Sequence, residues 1–405
     1  MTTDSAEDDT AGGPPPATEV PRADWSYPTT VRFGAGRVSE LADACRAAGI
    51  DNPLLVTDPG IAALPMTDAA LGTLHRAGLG GAIFSEVQGN PTDANVEAGL
   101  ALMREGGHDG VIAFGGGSAL DAGKVIAFMY GQSRPVWDFE DIGDWWTRAD
   151  PDGIRPVVAV PTTAGTGSEL GRAGVITNAA EHVKKVIFHP KMMPAVVIMD
   201  PELSVGLPPL MTAGTGFDAF VHCLEAYCAP SFHPMSAGIA LEGMRLVKRY
   251  LPRAVADGTD LEARAQMLAA AGMGAVAFQK GLGGIHALSH PVGALHDTHH
   301  GLTNAMFTPY VLRANREAIE GKIEALARWL DIDGGFDGFM RFVLDTRTAL
   351  EIPQTLGELG VKDFDARRIA EMAVEDPTAG GNPLEMTVEG CERILSAAAE
   401  GRLNG

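Results

Sequence analysis

Short apolar runs alternate with amphipathic stretches along the first half of the chain. The apolar runs are rich in branched residues and bounded by Gly, Pro or Asp, which is typical of buried strands. The segments between them, such as "TDANVEAGLALMREGG", carry apolar residues at helical spacing. This alternation predicts an α/β fold in which crossover helices join the strands of a parallel sheet. The predicted strands lie at 53–58, 81–87, 110–116 and 155–161.

The pattern changes near residue 205, where the Pro-rich segment "DPELSVGLPP" breaks any continuing element. Beyond it, long segments rich in Ala, Leu and Met, such as "SAGIALEGMRLVKRYLPRAVADG", replace the strand-like runs. We therefore predict an α/β domain over residues 25–205 and an all-α domain over residues 206–405. Residues 1–24 are acidic and rich in Pro and Gly, so we predict a disordered tail there.

Charge and composition narrow the possible partners. The 405 residues include 31 Lys and Arg against 52 Asp and Glu, a net charge of −21, which disfavours nucleic acid and anionic membranes as partners. We find no basic leader, and apolar stretches such as 269–278 are shorter than the ~20 residues of a membrane helix. The four cysteines form no CxxC pair, so neither a disulfide framework nor a thiolate zinc site is expected. We predict a cytoplasmic protein with no membrane segment.

Two segments that follow predicted strands are rich in glycine and hydroxyl residues. In "GGGSALDAGK" (115–124) the glycines allow close backbone approach, and Ser118 can cap a helix that faces a phosphate. Alone, this motif is explained equally well by a turn that needs glycine. The segment "VPTTAGTGSE" (160–169) adds hydroxyls and unencumbered N–H groups, so the two loops together favour a dinucleotide. Asp58, at the end of a strand, either accepts hydrogen bonds from the ribose or serves only as a turn residue.

The helical half concentrates histidines at regular spacing. Asp218 and His222 lie four residues apart, hence on one helix face, and His286 and His290 repeat that spacing. His300 follows a Pro/Gly break that can return the chain to the same point. A carboxylate with several imidazoles suits Fe(II), Zn(II), Mn(II) or Ni(II). We predict that Asp218, His222, His286 and His300 bind a divalent metal, whereas His296 and His299 are interpreted as ordinary core or surface residues.

The segments "GGGSALDAGK", "VPTTAGTGSE", "GTGFDAFVHCLEAY" and "HALSHPVGALHDTHHG", with "EDPTAGGNP" near the end, resemble the iron-containing (group III) alcohol dehydrogenase family. The resemblance runs from about Trp25 to the C-terminus. It implies a dehydroquinate synthase-like fold in which the α/β domain binds NAD. The helical domain is then expected to hold the divalent metal, with Fe(II) as the first candidate. The resemblance implies the same four metal ligands and places His290 beside the substrate and nicotinamide. The residues assigned to the cofactor are Asp58, Gly115, Gly116, Gly117, Ser118, Asp121, Thr162, Thr163, Thr166, Ser168 and Lys184.

This resemblance implies that a primary alcohol or short hydroxy acid is interconverted with its aldehyde by hydride transfer, while the metal polarises the substrate oxygen. The segment "SELGRAGVIT" is similar to the branch that contains 4-hydroxybutyrate dehydrogenases. There Arg172 is predicted either to bind a carboxylate at the far end of the substrate, or to pair with a neighbouring carboxylate or the cofactor phosphates. The insertion at residues 137–153, with Trp145 and Trp146, is interpreted as a loop beside the cleft.

Alternatives from other classes remain at this point. One is an NAD- and metal-dependent lyase of the dehydroquinate synthase type, and another is a glycerol or diol dehydrogenase. A third is a protein that keeps the fold without catalysis. For the preferred enzyme we expect a small alcohol or aldehyde as substrate and assembly as a homodimer or larger homo-oligomer.

Overall fold

A computed structural model describes residues 23–25 and 29–403 of the chain. The strands of the described part are β1 (Ala23–Trp25), β2 (Thr30–Phe33), β3 (Pro53–Val56), β4 (Ala82–Phe84), β5 (Gly110–Gly115), β6 (Val157–Pro161), β7 (Ala173–Asn178), β8 (Val183–Phe188) and β9 (Val196–Met199). Seven of them form one sheet in the order β1-β2-β9-β6-β5-β3-β4. Neighbouring strands in this sheet run parallel, except that β1 and β2 are antiparallel. The predicted parallel sheet is therefore confirmed.

Helices of the first half are α1 (Leu41–Ala47), α2 (Pro59–Ala62), α3 (Pro65–Arg76), α4 (Asp93–Glu105) and α5 (Gly117–Met129). The second half contains α6 (Pro209–Cys228), α7 (Pro234–Ala256), α8 (Leu261–Ala277), α9 (Gly284–His296), α10 (His300–Ala314), α11 (Arg316–Trp329), α12 (Gly335–Ala349), α13 (Ala366–Glu375) and α14 (Val388–Glu400). No strand lies in the described residues beyond β9, in agreement with the predicted helical half.

The carboxyl ends of the central strands position one part of the site. Gly115 at the end of β5 is in register with Pro161 at the end of β6, and β3 pairs with β5 on the other side. Because parallel strands end at the same edge of a sheet, the loops after β3, β5 and β6 emerge side by side.

The hairpin formed by β7 and β8 was not predicted. Its strands pair antiparallel outside the main sheet. A Cβ on Gly174 would lie 2.7 Å from Val125 of α5, so glycine is what allows β7 to pack closely on that helix. Residues 1–22 of the predicted tail lie outside the described residues, and residues 23 and 24 belong to β1 rather than to a tail.

Helix α6 is the centre of the helical half. It packs against α7, α8 and α10, and most of its residues are buried, which explains its apolar sequence. No helix in the described part of the chain is long and apolar enough to cross a membrane. The four cysteines are free and buried.

Candidate metal and dinucleotide site

The loop between β5 and α5 forms a cradle without side chains. A Cβ on Gly117 would lie 2.6 Å from Cγ2 of Thr166, and one on Gly116 would lie 3.4 Å from Cγ2 of Thr163. Gly115 has φ 148°, where L side chains are rarely found, and a Cβ there would lie 3.6 Å from Oδ2 of Asp58. The structure thus brings both predicted loops and Asp58 together at the N-terminus of α5. Only backbone can approach a ligand this closely, which fits the phosphates of a dinucleotide.

Asp58 has two carboxylate oxygens in different surroundings. Oδ1 accepts a hydrogen bond from the N–H of Ile61 at 2.9 Å and caps α2. Oδ2 faces Gly115, at the mouth of the cradle. Asp58 therefore caps α2 with one oxygen and directs the other towards the glycine loop between β5 and α5.

Asp121 and Ser168 bind each other across the two loops. Ser168 Oγ donates a short hydrogen bond to Oδ1 of Asp121, and the N–H of Val175 donates to Oδ2 at 3.1 Å. Lys124, which the sequence did not single out, donates to the carbonyl of Ser168 at 2.8 Å and to that of Ala173. Burial lowers the pKa of Lys124, and the nearby Asp121 opposes this effect. These side chains tie the second loop and the hairpin to α5.

The remaining predicted cofactor residues lie near the same edge. Ser118 Oγ donates to the carbonyl of Gly89, whereas the buried hydroxyl of Thr162 has no partner among the described residues. Lys184 on β8 extends towards helix α9, and its Nζ lies 3.4 Å from the position of a Cβ on Gly293. Burial lowers the pKa of Lys184, which Asp121 and Asp297 partly offset. No hydrogen bond or ion pair joins its Nζ to another described residue.

The four predicted metal ligands converge. One ligand atom from each of Asp218, His222, His286 and His300 lies within 4.8 Å of the others. From Asp218 Oδ1, the Nε2 atoms of His222, His286 and His300 lie at 3.9, 3.8 and 3.6 Å. Helix α6 supplies the first two residues, α9 the third and α10 the fourth.

Burial controls the charge of these histidines. It lowers the pKa of His222 to about 4 and that of His300 well below its usual value, so both rings are neutral near neutral pH. Burial acts the same way on His286, but the carboxylates of Glu225, Asp218 and Asp376 together outweigh it and raise the pKa of His286. Neutral imidazoles carry the lone pair that a metal ligand needs.

The donor set fits a cation better than a hydrogen-bond network. Nδ2 of Asn304 lies 2.7 Å from Oδ1 of Asp218 and 3.1 Å from Nε2 of both His286 and His300. An amide NH₂ group has two hydrogens and cannot serve three acceptors at once. The carbonyl oxygen of Asn304 is buried without a partner among the described residues. The excess of lone pairs around one point is what a divalent metal satisfies.

Two carboxylates behind the histidines were missed by sequence reasoning. Glu225 Oε2 lies 2.6 Å from Nδ1 of His286, and Asp376 Oδ2 lies 2.8 Å from Nδ1 of His290. The ring of His290 stacks on that of His300 at 5.5 Å. Glu225 follows His222 by three residues on the same helix face, a spacing that could have revealed it. Asp376 lies in "EDPTAGGNP", where no spacing connects it to His290.

Among the described residues, Arg172 forms no hydrogen bond or ion pair with the four predicted ligands. It lies directly before β7, which begins at Ala173. The side chain is exposed, and its Cζ lies 5.7 Å from the ring centroid of Phe188. No ion pair joins Arg172 to a carboxylate in the described part of the chain, so one alternative from the sequence lacks support.

Contacts around the cleft involve three further segments. Asn90 Nδ2 donates to Oδ1 of Asp297 at 2.6 Å, which links the loop after β4 to the turn between α9 and α10. Nδ1 of His299 accepts from the N–H of Leu302 at 3.3 Å and caps α10, an ordinary structural role. The insertion with Trp145 and Trp146 runs along the hairpin, since Glu140 forms a bridge with Ile187 of β8.

A glycine cradle for a dinucleotide and a buried carboxylate–imidazole cluster define a class, the metal-dependent oxidoreductases that use a nicotinamide cofactor. Comparison with known proteins agrees. The family model "Iron-containing alcohol dehydrogenase" matches residues 28–201, and "Fe-containing alcohol dehydrogenase family, C-terminal" matches residues 212–399. The chain belongs to the iron-containing alcohol dehydrogenase family. It is an NAD-linked, metal-dependent alcohol oxidoreductase that acts on a small molecule.

Individual relatives are similar over nearly their whole length. The chain is 38% identical to 4-hydroxybutyrate dehydrogenase of Cupriavidus necator over 379 residues, which covers 91% of this chain and 98% of the relative. It is 38% identical to 1,3-propanediol dehydrogenase of Klebsiella pneumoniae over 370 residues, covering 89% and 94%. A solved 1,3-propanediol oxidoreductase superimposes with a TM-score of 0.86 at 35% identity, covering 94% of this chain and 100% of that one. None of these relatives is a lyase of the dehydroquinate synthase type.

Proposed function

We propose that Asp218, His222, His286 and His300 hold Fe(II) and that the protein oxidises a primary alcohol or short hydroxy acid with NAD, or runs the reverse reaction. The observation that carries this proposal is the convergence of four ligand atoms within 4.8 Å. The donor set also suits Zn(II), Mn(II) and Ni(II), and the family description favours iron. A divalent metal held there supplies Lewis acidity that lowers the pKa of the substrate hydroxyl.

The cofactor is held by the edge of the sheet. The backbone of Gly115, Gly116 and Gly117 and the N-terminus of α5, next to Ser118, receive the pyrophosphate. Thr162, Thr163 and Thr166 offer hydroxyls from the neighbouring loop, and Asp58 accepts from the adenosine ribose. Asp121 and Ser168 act through each other by fixing the second loop. Lys184 offers its ammonium group to the nicotinamide half or to the substrate.

His290 receives the proton in this proposal. Its Nδ1 donates to Asp376 at 2.8 Å, which fixes the ring and leaves Nε2 as the acceptor. With the cofactor bound, the carbinol carbon would transfer a hydride to C4 of the nicotinamide, and His290 would take up the hydroxyl proton. The alcohol loses two electrons to become the aldehyde, and NAD gains them.

A short hydroxy acid is the substrate class we propose first. The relative named 4-hydroxybutyrate dehydrogenase aligns over 98% of its length. Two cations have no ion-pair partner among the described residues: Lys184 on β8, and Arg172 directly before β7. If Arg172 binds the substrate carboxylate, Arg172→Leu raises KM for 4-hydroxybutyrate and leaves KM for butanol unchanged. If Lys184 does so, Lys184→Met gives that pattern and Arg172→Leu does not.

A diol is the second candidate. The relative named 1,3-propanediol dehydrogenase is equally similar at 38% identity. A substrate with a second hydroxyl in place of a carboxylate would need neither cation, so both variants would keep wild-type KM for 1,3-propanediol.

One experiment tests the function as a whole. The protein is stripped of metal, reconstituted with Fe(II), and mixed with NAD and primary alcohols, diols or hydroxy acids while NADH absorbance is followed. We expect net NADH formation that requires the metal and is strongest with a hydroxy acid. Product formation without net NADH would instead indicate the lyase chemistry.

Three broader features belong to the same proposal. A cytoplasmic location is supported by four free cysteines. Division into residues 25–205 and 206–405 is supported by the change from sheet to helices between Met199 and Pro209. Assembly as a homodimer or larger homo-oligomer is proposed from the family resemblance and is measured by light scattering.

A further inference from the structure

Glu225 is a buried carboxylate that accepts three hydrogen bonds from the segment around His286. Oε2 accepts from the N–H of Gly283 at 3.0 Å and faces Nδ1 of His286 at 2.6 Å. Oε1 accepts from the N–H of Ile285 at 2.7 Å. All three partners lie about sixty positions further along the chain, so Glu225 joins α6 to the start of α9.

These bonds serve two different needs. The first N–H groups of a helix have no partner within the helix, and a carboxylate at that end satisfies them and complements the helix dipole. The bond to His286 has another consequence. Because a carboxylate accepts and does not donate, Nδ1 of His286 must carry a hydrogen, and the lone pair is then on Nε2, which faces Asp218.

His222, another of the predicted ligands, has no carboxylate on its Nδ1 among the described residues. The hydrogen bond that acts on its ring comes from the backbone of Gly165. The side-chain oxygen of Asn382 accepts from the N–H of Gly284 at 3.0 Å, so both Asn382 and Glu225 bind the start of α9. The orientation of the His286 ring therefore depends on Glu225, whereas the helix end has additional support.

We propose that Glu225 is the positioning residue of the metal centre, which fixes the tautomer and direction of His286 and thereby controls how tightly and how long the protein keeps its metal. The proposal rests on the proposed ligand set. Glu225 does not touch the substrate or the cofactor, so its effect reaches the reaction only through His286.

The test uses Glu225→Gln. Glutamine has the same shape but only one acceptor oxygen, so it cannot accept from both Ile285 and His286. It also removes the negative charge behind the His286 ring. The matched control is Asp365→Asn, since Asp365 also caps a helix, accepting from the N–H of Arg368 at 3.0 Å, without contact to a ligand. Three quantities are measured: Co(II) affinity, the rate of Co(II) loss to a chelator, and the visible Co(II) spectrum.

We expect Glu225→Gln to weaken Co(II) binding by about 10- to 100-fold, the usual effect of losing a carboxylate behind a histidine ligand. Its Co(II) spectrum should change, its affinity for NAD should stay at the wild-type value, and Asp365→Asn should match wild type in all three measurements. Wild-type Co(II) affinity and spectrum in Glu225→Gln would overturn the inference. If the wild-type protein itself binds no Co(II) or Fe(II), the proposed function fails instead.

A second measurement needs no variant. Nitrogen NMR of ¹⁵N-histidine-labelled wild-type protein reports which ring nitrogen of His286 carries the hydrogen. We expect the hydrogen on Nδ1. A hydrogen on Nε2 alone would contradict the proposal even if Glu225→Gln fails to fold.

Discussion

The loops after β5 and β6, which we propose bind the cofactor, and the metal centre are built from different kinds of residues. These short loops consist of glycine backbone and threonine side chains. The metal centre consists of buried ionisable side chains from α6, α9 and α10, each far from the others in sequence. The first region is specified by local chain geometry, and the second by how helices pack. The difference suggests that damage to one region should leave the other intact.

The two regions also differ in what holds them in the absence of ligand. The cradle is held by close packing of its glycines and by hydrogen bonds among its own residues, such as that between Ser168 and Asp121. The buried carboxylate of Asp218 has Asn304 and three imidazoles around it, and an unpaired buried charge is costly. We therefore expect metal to stabilise the helical half far more than NAD stabilises the sheet.

The largest effect is expected from Asp218→Ala. Loss of the anionic ligand should remove the bound metal and lower kcat/KM by at least about 100-fold, or ~3 kcal/mol of transition-state stabilisation. The Kd for NAD should change little. Metal content by mass spectrometry and NAD binding by calorimetry check this. The exposed Asp345→Ala on α12 is the control, and an Asp218→Ala protein that retained one metal per chain would refute the ligand assignment.

A smaller effect in the other region is expected from Gly117→Ala. The new Cβ would lie 2.6 Å from Thr166, so the loop must shift and the Kd for NAD should rise about 10-fold while metal content is unchanged. Gly321→Ala is the matched control, because a Cβ on that helical glycine meets nothing within 4 Å. Equal NAD affinity in the two variants would show that the cradle does not hold the cofactor.

Asp58→Gly should affect the choice of cofactor more than its binding. A carboxylate repels the extra phosphate of NADP, so its removal should reduce the preference for NAD over NADP by about 10-fold in kcat/KM. The ratio is measured with one alcohol at fixed metal content. An unchanged ratio would mean that Asp58 Oδ1, which caps α2, accounts for the whole role of this residue.

The prediction for Glu169 concerns stability alone and leaves metal and cofactor binding unchanged. Burial raises its pKa from 4.5 to about 7, against the opposing charge of Lys124. The unfolded chain releases this proton near pH 4.5 and the native protein near pH 7, so the contribution to the free energy of unfolding is full below pH 4.5 and falls as pH rises to 7. Relative to Glu169→Gln, wild type should lose about 3 kcal/mol over that window, measured by urea unfolding. A constant difference across the window would contradict the raised pKa.

The sequence predicted most of what is local. The glycines at 115–117 and the loop at 160–169 were identifiable because each follows an apolar strand directly. Three of the four residues that converge, Asp218, His222 and His286, were identifiable because they belong to two pairs with helical spacing. The β7–β8 hairpin was missed because neither strand is an apolar run. β7 alternates buried and half-buried positions, and β8 is mostly half-buried and contains Lys184 and Lys185.

Long-range partners were not predictable in the same way. Asp376 meets His290 across 86 positions, and Asn90 meets Asp297 across 207. Nothing in the spacing of either pair signals contact, because helix packing and the closure of the cleft decide it. The charge of Arg172 suggested a substrate contact, and this stays a prediction, because its side chain is exposed and forms no ion pair in the described part of the chain.

The location of the metal is the central claim. Crystals of the protein grown with Fe(II) should give one anomalous difference peak at the iron absorption edge, ~2.0 to 2.2 Å from Asp218 Oδ1 and from Nε2 of His222, His286 and His300. A second diffraction data set, collected just below the zinc absorption edge, serves as the control for metal identity, because zinc gives little anomalous signal there. A peak at other residues, or no peak in crystals that still form NADH from an alcohol, would contradict this account.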